Sequence, residues 1–458
     1  MSDIDKLWLH QHLPGIQASQ QADDLASYGS DWSRLREPAP AAVLFPQHQE
    51  QVAQIIDCAN REGLALVPSG GRTGLSGGAI AADGELVLSL ERMRQLDPVN
   101  HADASVRVEA GVVTASIQQQ AERAGLFYGV DFAAAGSSQI GGNIATNAGG
   151  IRVLRYGLTR DQVLGLEAVS GKGELLQLNH GLIKNATGYD LRHLLIGSEG
   201  TLAVITAATL KLWPDPGERQ VLLLAVDGHQ ALLPLFMAAR QALRLSAFEF
   251  FTHDCVRHVC AHAGLPPPLE QAAGMYVLLE CDAVSDEQVA ALFEQLVEQQ
   301  LVSDGVISQS RQHAQQLWQY RERISESIAA QRPYKNDIAV RIAAVPELLQ
   351  QLDELIQRHY PAFEVLWYGH IGDGNIHMNV LKPDDLSPAA FKQQCELVNE
   401  QVFDCIQRLA GSISAEHGVG LLKQPWLQYS RTPVEIDIMR RIKSVLDPGG
   451  ILNPGKLL

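Results

Sequence analysis

The chain has 458 residues, enough for two or three domains with sizeable cores. It carries 36 Lys plus Arg against 52 Asp plus Glu, a formal net charge of −16, and a surface of that sign repels nucleic-acid phosphates. No apolar run approaches the roughly 20 residues of a membrane-spanning helix, and the opening Met-Ser-Asp-Ile-Asp-Lys-Leu-Trp-Leu-His has no basic-then-apolar leader, so a cytoplasmic protein is expected.

Residues 1–35 read as a helical lead-in. From Ala42, short apolar strands alternate with helices: a strand over 42–46, an amphipathic helix over 50–62, a strand over 64–68. This rhythm runs to about Leu212 and is broken by Gly-rich junctions. The first, Pro68-Ser69-Gly70-Gly71-Arg72-Thr73-Gly74-Leu75-Ser76-Gly77-Gly78, exposes successive backbone N–H groups, and such nests bind phosphates. The second, Gly136-Ser137-Ser138-Gln139-Ile140-Gly141-Gly142-Asn143-Ile144-Ala145-Thr146-Asn147-Ala148-Gly149-Gly150, is nearly all small residues, which lets a flat ligand approach the backbone. Two such loops in one domain point to a dinucleotide cofactor. Neither has the strand-then-helix context of a Gly-x-Gly-x-x-Gly fingerprint.

Pro214-Asp215-Pro216-Gly217 punctuates the chain, so one domain is expected over 1–215 and a second over 216–422. The second repeats a strand–helix pattern: a strand over 221–226, a helix near 229–245, a strand over 275–280 and a helix over 285–300. That pattern suggests an α+β domain with an antiparallel sheet. The six cysteines are scattered, as reduced thiols would be. His253, Cys255, His258, Cys260 and His262 have the composition of a zinc site, but on a helix they diverge. A C-terminal segment over 423–458 ends in Gly450-Ile451-Leu452-Asn453-Pro454-Gly455-Lys456, which mimics a phosphate-binding loop but has no Ser or Thr after the lysine.

The densest chemistry lies at Gly369-His370-Ile371-Gly372-Asp373-Gly374-Asn375-Ile376-His377-Met378-Asn379, followed later by Ser414-Ala415-Glu416-His417-Gly418. Asp373-Gly374 reads as a two-residue hairpin turn, which sets His370 directly opposite His377. Opposed residues on one face have Cβ atoms roughly 4.5–5.5 Å apart, so two imidazoles converge on one ion. Asn379 shares that face, and Glu416 can supply a third ligand while one position stays open for substrate. Zinc is the expected ion.

Together with Lys184-Asn185-Ala186-Thr187-Gly188-Tyr189-Asp190, Gly197-Ser198-Glu199-Gly200-Thr201-Leu202 and Asp447–Lys456, these motifs resemble a known family. It is that of the FAD-linked oxidoreductases of the vanillyl-alcohol-oxidase/p-cresol methylhydroxylase superfamily. Within it, the resemblance is to the branch of D-2-hydroxyglutarate dehydrogenases, D-lactate dehydrogenases and the glycolate oxidase catalytic subunit. Ser-Ala-Glu-His-Gly-Val-Gly and Leu-Asn-Pro-Gly-Lys look most like the first of these. The resemblance implies an α+β fold: a two-subdomain FAD-binding domain, an α+β substrate (cap) domain with an antiparallel sheet, and a C-terminal helical segment returning to the flavin. Residues 69–78 are then expected to wrap the FAD pyrophosphate and 137–147 to line the flavin, with Glu199, Gly200, Ile205 and Asn453 nearby. Members with covalent flavin often have His where this chain has Arg72, so non-covalent FAD is expected.

The same resemblance assigns the substrate's distal carboxylate to Arg321, Ser325 and Lys335, with Arg321 and Ser325 one turn apart on a helix over 320–331. His370, His377 and Glu416 would hold the metal, His417 would take the 2-hydroxyl proton, Asn379 would orient substrate, and the C2 hydride would pass to flavin N5. Glu416 and His417 would face opposite ways in a regular strand. Electron-transfer flavoprotein or a quinone is the implied acceptor, and a homodimer the expected state.

Overall fold

The computed structural model describes residues 4–458. They form two compact units: the chain through Gly150 with Gly157–Asp215 and Glu416–Leu458, and Ile151–Tyr156 with Pro216–Ala415.

The first unit has two main sheets. In the order Gln17–Ser19, Ala42–Phe45, Leu86–Ser89 and Leu66–Ser69, the last three strands run parallel. Ala42–Phe45 and Leu86–Ser89 are buried at every position, as strands covered on both faces must be. Helix Gln49–Glu62 packs Val52, Ile55, Ile56 and Ala59 against them and stops at Gly63, whose φ of +65° closes the last turn. The second sheet is antiparallel, in the order Ser105–Glu109, Ala203–Lys211, Val163–Ser170, Leu175–Leu178.

The C-terminal segment completes this unit. Leu66 donates its N–H to Ile451 O at 2.8 Å and accepts from Asn453 N at 2.8 Å, which adds the chain end to the first sheet. Lys456 is buried, with Nζ on Ile80 O at 2.6 Å and Asn453 Oδ1 at 2.7 Å, and burial lowers its pKa to about 8. The phosphate-loop mimic is therefore a packed chain end. The chain re-enters this unit at Glu416, earlier than the expected 423, because the Glu199 carboxylate accepts the N–H groups of Val419 at 2.7 Å and Gly420 at 2.8 Å.

The second unit is built on one seven-stranded antiparallel sheet. Its order is Asp304–Ile307, Arg219–Val226, Met275–Asp282, Leu245–Thr252, Val365–His370, Asn375–Val380, Tyr334–Ala339. Side chains alternate faces. One face carries Phe248, which meets Phe236 of helix Leu232–Ala242 edge-on at 5.1 Å. On the other face, Arg152 forks the buried carboxylate of Glu280, with contacts of 2.9 and 3.2 Å; Arg219, Ser246 and Trp318 also bind it. Arg155 forks Asp282 beside it. These pairs place Ile151–Tyr156 with the second unit rather than within an unbroken 1–215 domain.

Burial pushes the Glu280 pKa up, but Arg152, Arg219 and Ser246 outweigh it and bring it to about 2. A depressed carboxyl stabilises the fold above its unfolded pKa of roughly 4.3 and loses that contribution as pH falls toward 2. Glu280→Gln leaves Arg152 and Arg219 buried beside a neutral partner. It should cost about 3–5 kcal/mol at pH 7 and flatten the acid limb of the urea-unfolding midpoint. An unchanged acid limb would remove Glu280 from that role.

Candidate active site

In the first unit the two Gly-rich loops touch. A Cβ on Gly71 would lie 2.3 Å from Ser137 O and 2.9 Å from Ser138 Cα, so only glycine lets them meet. A Cβ at Gly136 or Gly142 would meet nothing within 4 Å, so those positions border open space. Ser69 Oγ and Gln139 Oε1, one on each loop, are buried with no hydrogen-bond partner. Buried polar atoms are rarely left so without a ligand or water to meet them. Open backbone and orphaned polar atoms on both loops fit a bound dinucleotide.

Several of the expected cofactor residues spend their side chains internally. Ser138 Oγ meets Thr114 Oγ1 at 2.8 Å, and Asn143 Nδ2 donates to the same hydroxyl at 2.6 Å. Thr146 caps back onto Gly142 O, and Asn147 ends helix Ile140–Thr146 while accepting Arg160 N. Asn453 Nδ2 donates to Gly78 O at 3.0 Å and Glu199 O at 2.8 Å, stapling the chain end to the first loop. Ile205 belongs to the core. These residues shape the cradle with backbone rather than reach into it. Arg72 stacks over Tyr28 at 4.2 Å and donates to Gly70 O. Glu416 Oε2 lies 3.1 Å from where a side chain on Gly149 would begin, and His417 Nε2 is 3.8 Å from Glu416 Oε1. Residues 416–417 lie in a bend with Gly418 at φ +79°, so the opposed facing of a regular strand does not arise.

In the second unit the hairpin differs from expectation. His370 pairs with Asn375, and Tyr368 with His377, around a four-residue turn. The type I′ turn expected at 373–374 needs positive φ at both positions, and of the two only Gly374 has it, at +85°; Gly374 N donates to His370 O at 3.0 Å. The shift is two residues, so the face is kept. The imidazoles meet diagonally, edge to face, with centroids 5.4 Å apart.

Each of these histidines has a buried carboxylate at Nδ1. Glu249 Oε1 is 2.8 Å from His370 Nδ1, and Asp337 Oδ1 is 3.6 Å from His377 Nδ1. Carboxylates held this way orient metal-binding histidines and fix which nitrogen keeps the lone pair. Asp337 also takes Asn375 Nδ2 at 2.9 Å and Ala415 N at 3.1 Å. Sequence reasoning missed Glu249, Asp337 and Tyr368. The one signal for Glu249 was a lone acid inside the apolar run Ala247-Phe248-Glu249-Phe250-Phe251.

The expected single helix over 320–331 is broken: Arg311–Glu322 and Ile324–Ser327 are separate, then Ala329–Gln331 is 3-10. The break is at Arg323, and both flanking side chains turn onto the sheet. Arg321 Nε binds Glu249 Oε2 at 2.8 Å with its guanidinium 4.9 Å from the Tyr368 ring, and Ser325 Oγ is 2.9 Å from Tyr368 Oη. Lys335 and Asn379 are directly opposed. Among the described residues no carboxylate partners Lys335, whose pKa burial lowers, and the amide oxygen of buried Asn379 makes no hydrogen bond. The histidine–cysteine run on helix His253–Ala263 does diverge: His258 meets Glu364 and His262 meets Glu326. All six cysteines are free.

The model of the FAD binding domain matches residues 40–179, and that of the C-terminal domain of FAD linked oxidases matches 215–457. The chain belongs to the FAD-linked oxidase family and is an FAD-linked oxidoreductase. Among curated proteins it is 51% identical to a D-2-hydroxyglutarate dehydrogenase of Stutzerimonas stutzeri, over 95% of each chain. It is 50% identical to the one of Xanthomonas citri pv. viticola, over 100% of this chain and 97% of that one. Among solved structures, p-cresol methylhydroxylase with substrate bound superposes with a TM-score of 0.74 at 14% identity, covering 96% of this chain and 93% of that one, a likeness of fold.

Gly141 and Gly142 separate packing from cofactor space. A Cβ on Gly141 would sit 2.6 Å from Ala110 Cβ, whereas one on Gly142 meets nothing within 4 Å. Gly142→Leu should fold with a near-normal unfolding midpoint yet purify with little flavin. Gly141→Ala should lose about 1–3 kcal/mol to overpacking. Full flavin occupancy in Gly142→Leu would show that this space is not the cofactor's.

Proposed function

We propose that this chain oxidises a D-2-hydroxy acid to the 2-oxo acid, with D-2-hydroxyglutarate as the preferred substrate. One observation carries the choice of a dicarboxylate. Among the described residues Lys335 is a partly buried cation with no anion, directly opposite the Asn379 amide, whose oxygen makes no hydrogen bond. A second carboxylate on the substrate answers the charge, and Asn379 can bind beside it. The names of the two curated relatives at 50–51% identity support the same reading.

His370, His377 and Glu416 are the proposed metal ligands. The support is the buried carboxylate at Nδ1 of each imidazole, which orients the ring; Arg321 Nη2 lies 3.4 Å from His370 Nε2, a contact that a bound ion would take over. When bound, FAD supplies a two-electron acceptor and the divalent ion, zinc in this reading, supplies Lewis acidity that lowers the pKa of a neighbouring hydroxyl. His417 takes the 2-hydroxyl proton as the C2 hydride leaves, so the acid loses two electrons and two hydrogens in all. Arg321, Ser325 and Lys335 hold the distal carboxylate, and Arg72 in place of a histidine supports non-covalent flavin. Electron-transfer flavoprotein or a quinone reoxidises the flavin.

Bleaching of the flavin absorbance on D-2-hydroxyglutarate, D-lactate, D-malate and glycolate tests the substrate; faster turnover of D-lactate or glycolate would displace this reading. Lys335→Met should lower kcat/KM for D-2-hydroxyglutarate by roughly 10- to 100-fold, the worth of one charged hydrogen bond, and change D-lactate turnover little. His417→Ala should lose roughly 100- to 10,000-fold in kcat. Chelation followed by metal reconstitution should abolish and then restore turnover.

A further inference from the structure

We propose that Glu249 is a positioning residue that sets two functions with one carboxylate: the metal-binding orientation of His370 and the substrate-binding orientation of Arg321. The inference rests on the roles proposed above for those two residues. Glu249 is 1% exposed and sits directly opposite His370 in the ladder between Leu245–Thr252 and Val365–His370. Its Oε1 accepts from His370 Nδ1 at 2.8 Å, and its Oε2 accepts from Arg321 Nε at 2.8 Å. Its partner on the other neighbouring strand is Leu278, which offers it nothing polar. Both oxygens are thus committed, one to each function.

The consequences differ at the two oxygens. A carboxylate at Nδ1 keeps the proton there and the lone pair on Nε2, the form a metal needs. Arg321 donates Nε to Glu249, which fixes the guanidinium over Tyr368 with Nη2 3.4 Å from His370 Nε2, so the one carboxylate sets the arginine and the imidazole against each other. Glu249 also offsets the Arg321 charge, which leaves Lys335 as the cation that recognises the second carboxylate. Its removal should loosen the metal and blur discrimination between dicarboxylate and monocarboxylate together. A purely structural acid would alter neither selectively.

The test uses full-length holoprotein with Glu249→Gln, Glu249→Asp, His377→Ala and wild type. Metal content is read by atomic emission after titration with EDTA, and kcat and KM are measured on D-2-hydroxyglutarate and D-lactate. Glu249→Gln should keep its flavin, release metal at roughly 10- to 100-fold lower EDTA, and lose more in kcat/KM on D-2-hydroxyglutarate than on D-lactate. Glu249→Asp retains the charge at a shorter reach and should recover part of both, which keeps the test valid if the Gln variant folds poorly. If Glu249→Gln holds metal and selectivity within twofold of wild type while His377→Ala loses metal, the proposal is overturned and the metal reading stands. If His377→Ala also keeps its metal, both are overturned.

Discussion

The two-residue period of a β-strand is the constraint on which the second unit depends. In the ladder Leu245–Thr252, Val365–His370, Asn375–Val380, Tyr334–Ala339, directly paired residues share a face, and so do residues two apart. Glu249, His370, Tyr368, His377, Asn379, Asp337 and Lys335 therefore all project to one side. Ile376, Met378 and Ile338 project to the other. Two strands contribute the histidines and amide, and the outer two contribute the acids and the lysine. A slip of one residue anywhere would send half the set into the apolar layer, so burial of that layer fixes the chemistry on this one.

A polar face inside a protein is stable only if its charges are answered. Most are. Glu280 is surrounded by Arg152, Arg219, Ser246 and Trp318, far from the histidines in sequence but on the same face of the same sheet. Glu249 is answered by Arg321 and His370, and Asp337 by Asn375, Ala415 and His377. The Glu280 carboxylate is engaged by all of its surrounding donors and serves the fold. Lys335 lies beside Asn379 with no carboxylate to answer it among the described residues. Unmet polarity is tolerated where a ligand can meet it, which separates the functional part of the face from the structural part.

What the sequence makes legible is local. The glycine loops announce themselves because close approach of two backbones, as at Gly71 and Ser137, leaves a composition that nothing else explains. The hairpin is legible as a hairpin, and its polar face survives the wrong turn type because an error of two residues preserves alternation. Glu249 is not legible, since its partners lie 72 and 121 residues away. The break at Arg323 is equally hidden: local propensity favours one helix, and the pull of Glu249 on Arg321 and of Tyr368 on Ser325 belongs to the sheet. The C-terminal re-entry at Glu416 is set by a carboxylate over two hundred residues earlier.

Charge balance turns this geometry toward one class of substrate. The whole chain carries −16, a field that opposes an anionic substrate. A site for such a molecule needs local positive charge that is not already spent. Arg321 is spent in part on Glu249, and Asp337 lies beside His377, so the polar face offers Lys335 as its uncommitted cation. A monocarboxylic hydroxy acid already uses its carboxylate next to the carbon that reacts. In the proposed reading, a second carboxylate held away from that carbon gives Lys335 its partner. On that proposal, the desolvation that lowers the lysine's pKa would act as a source of selectivity, because a ligand without the second charge leaves that cost unrecovered.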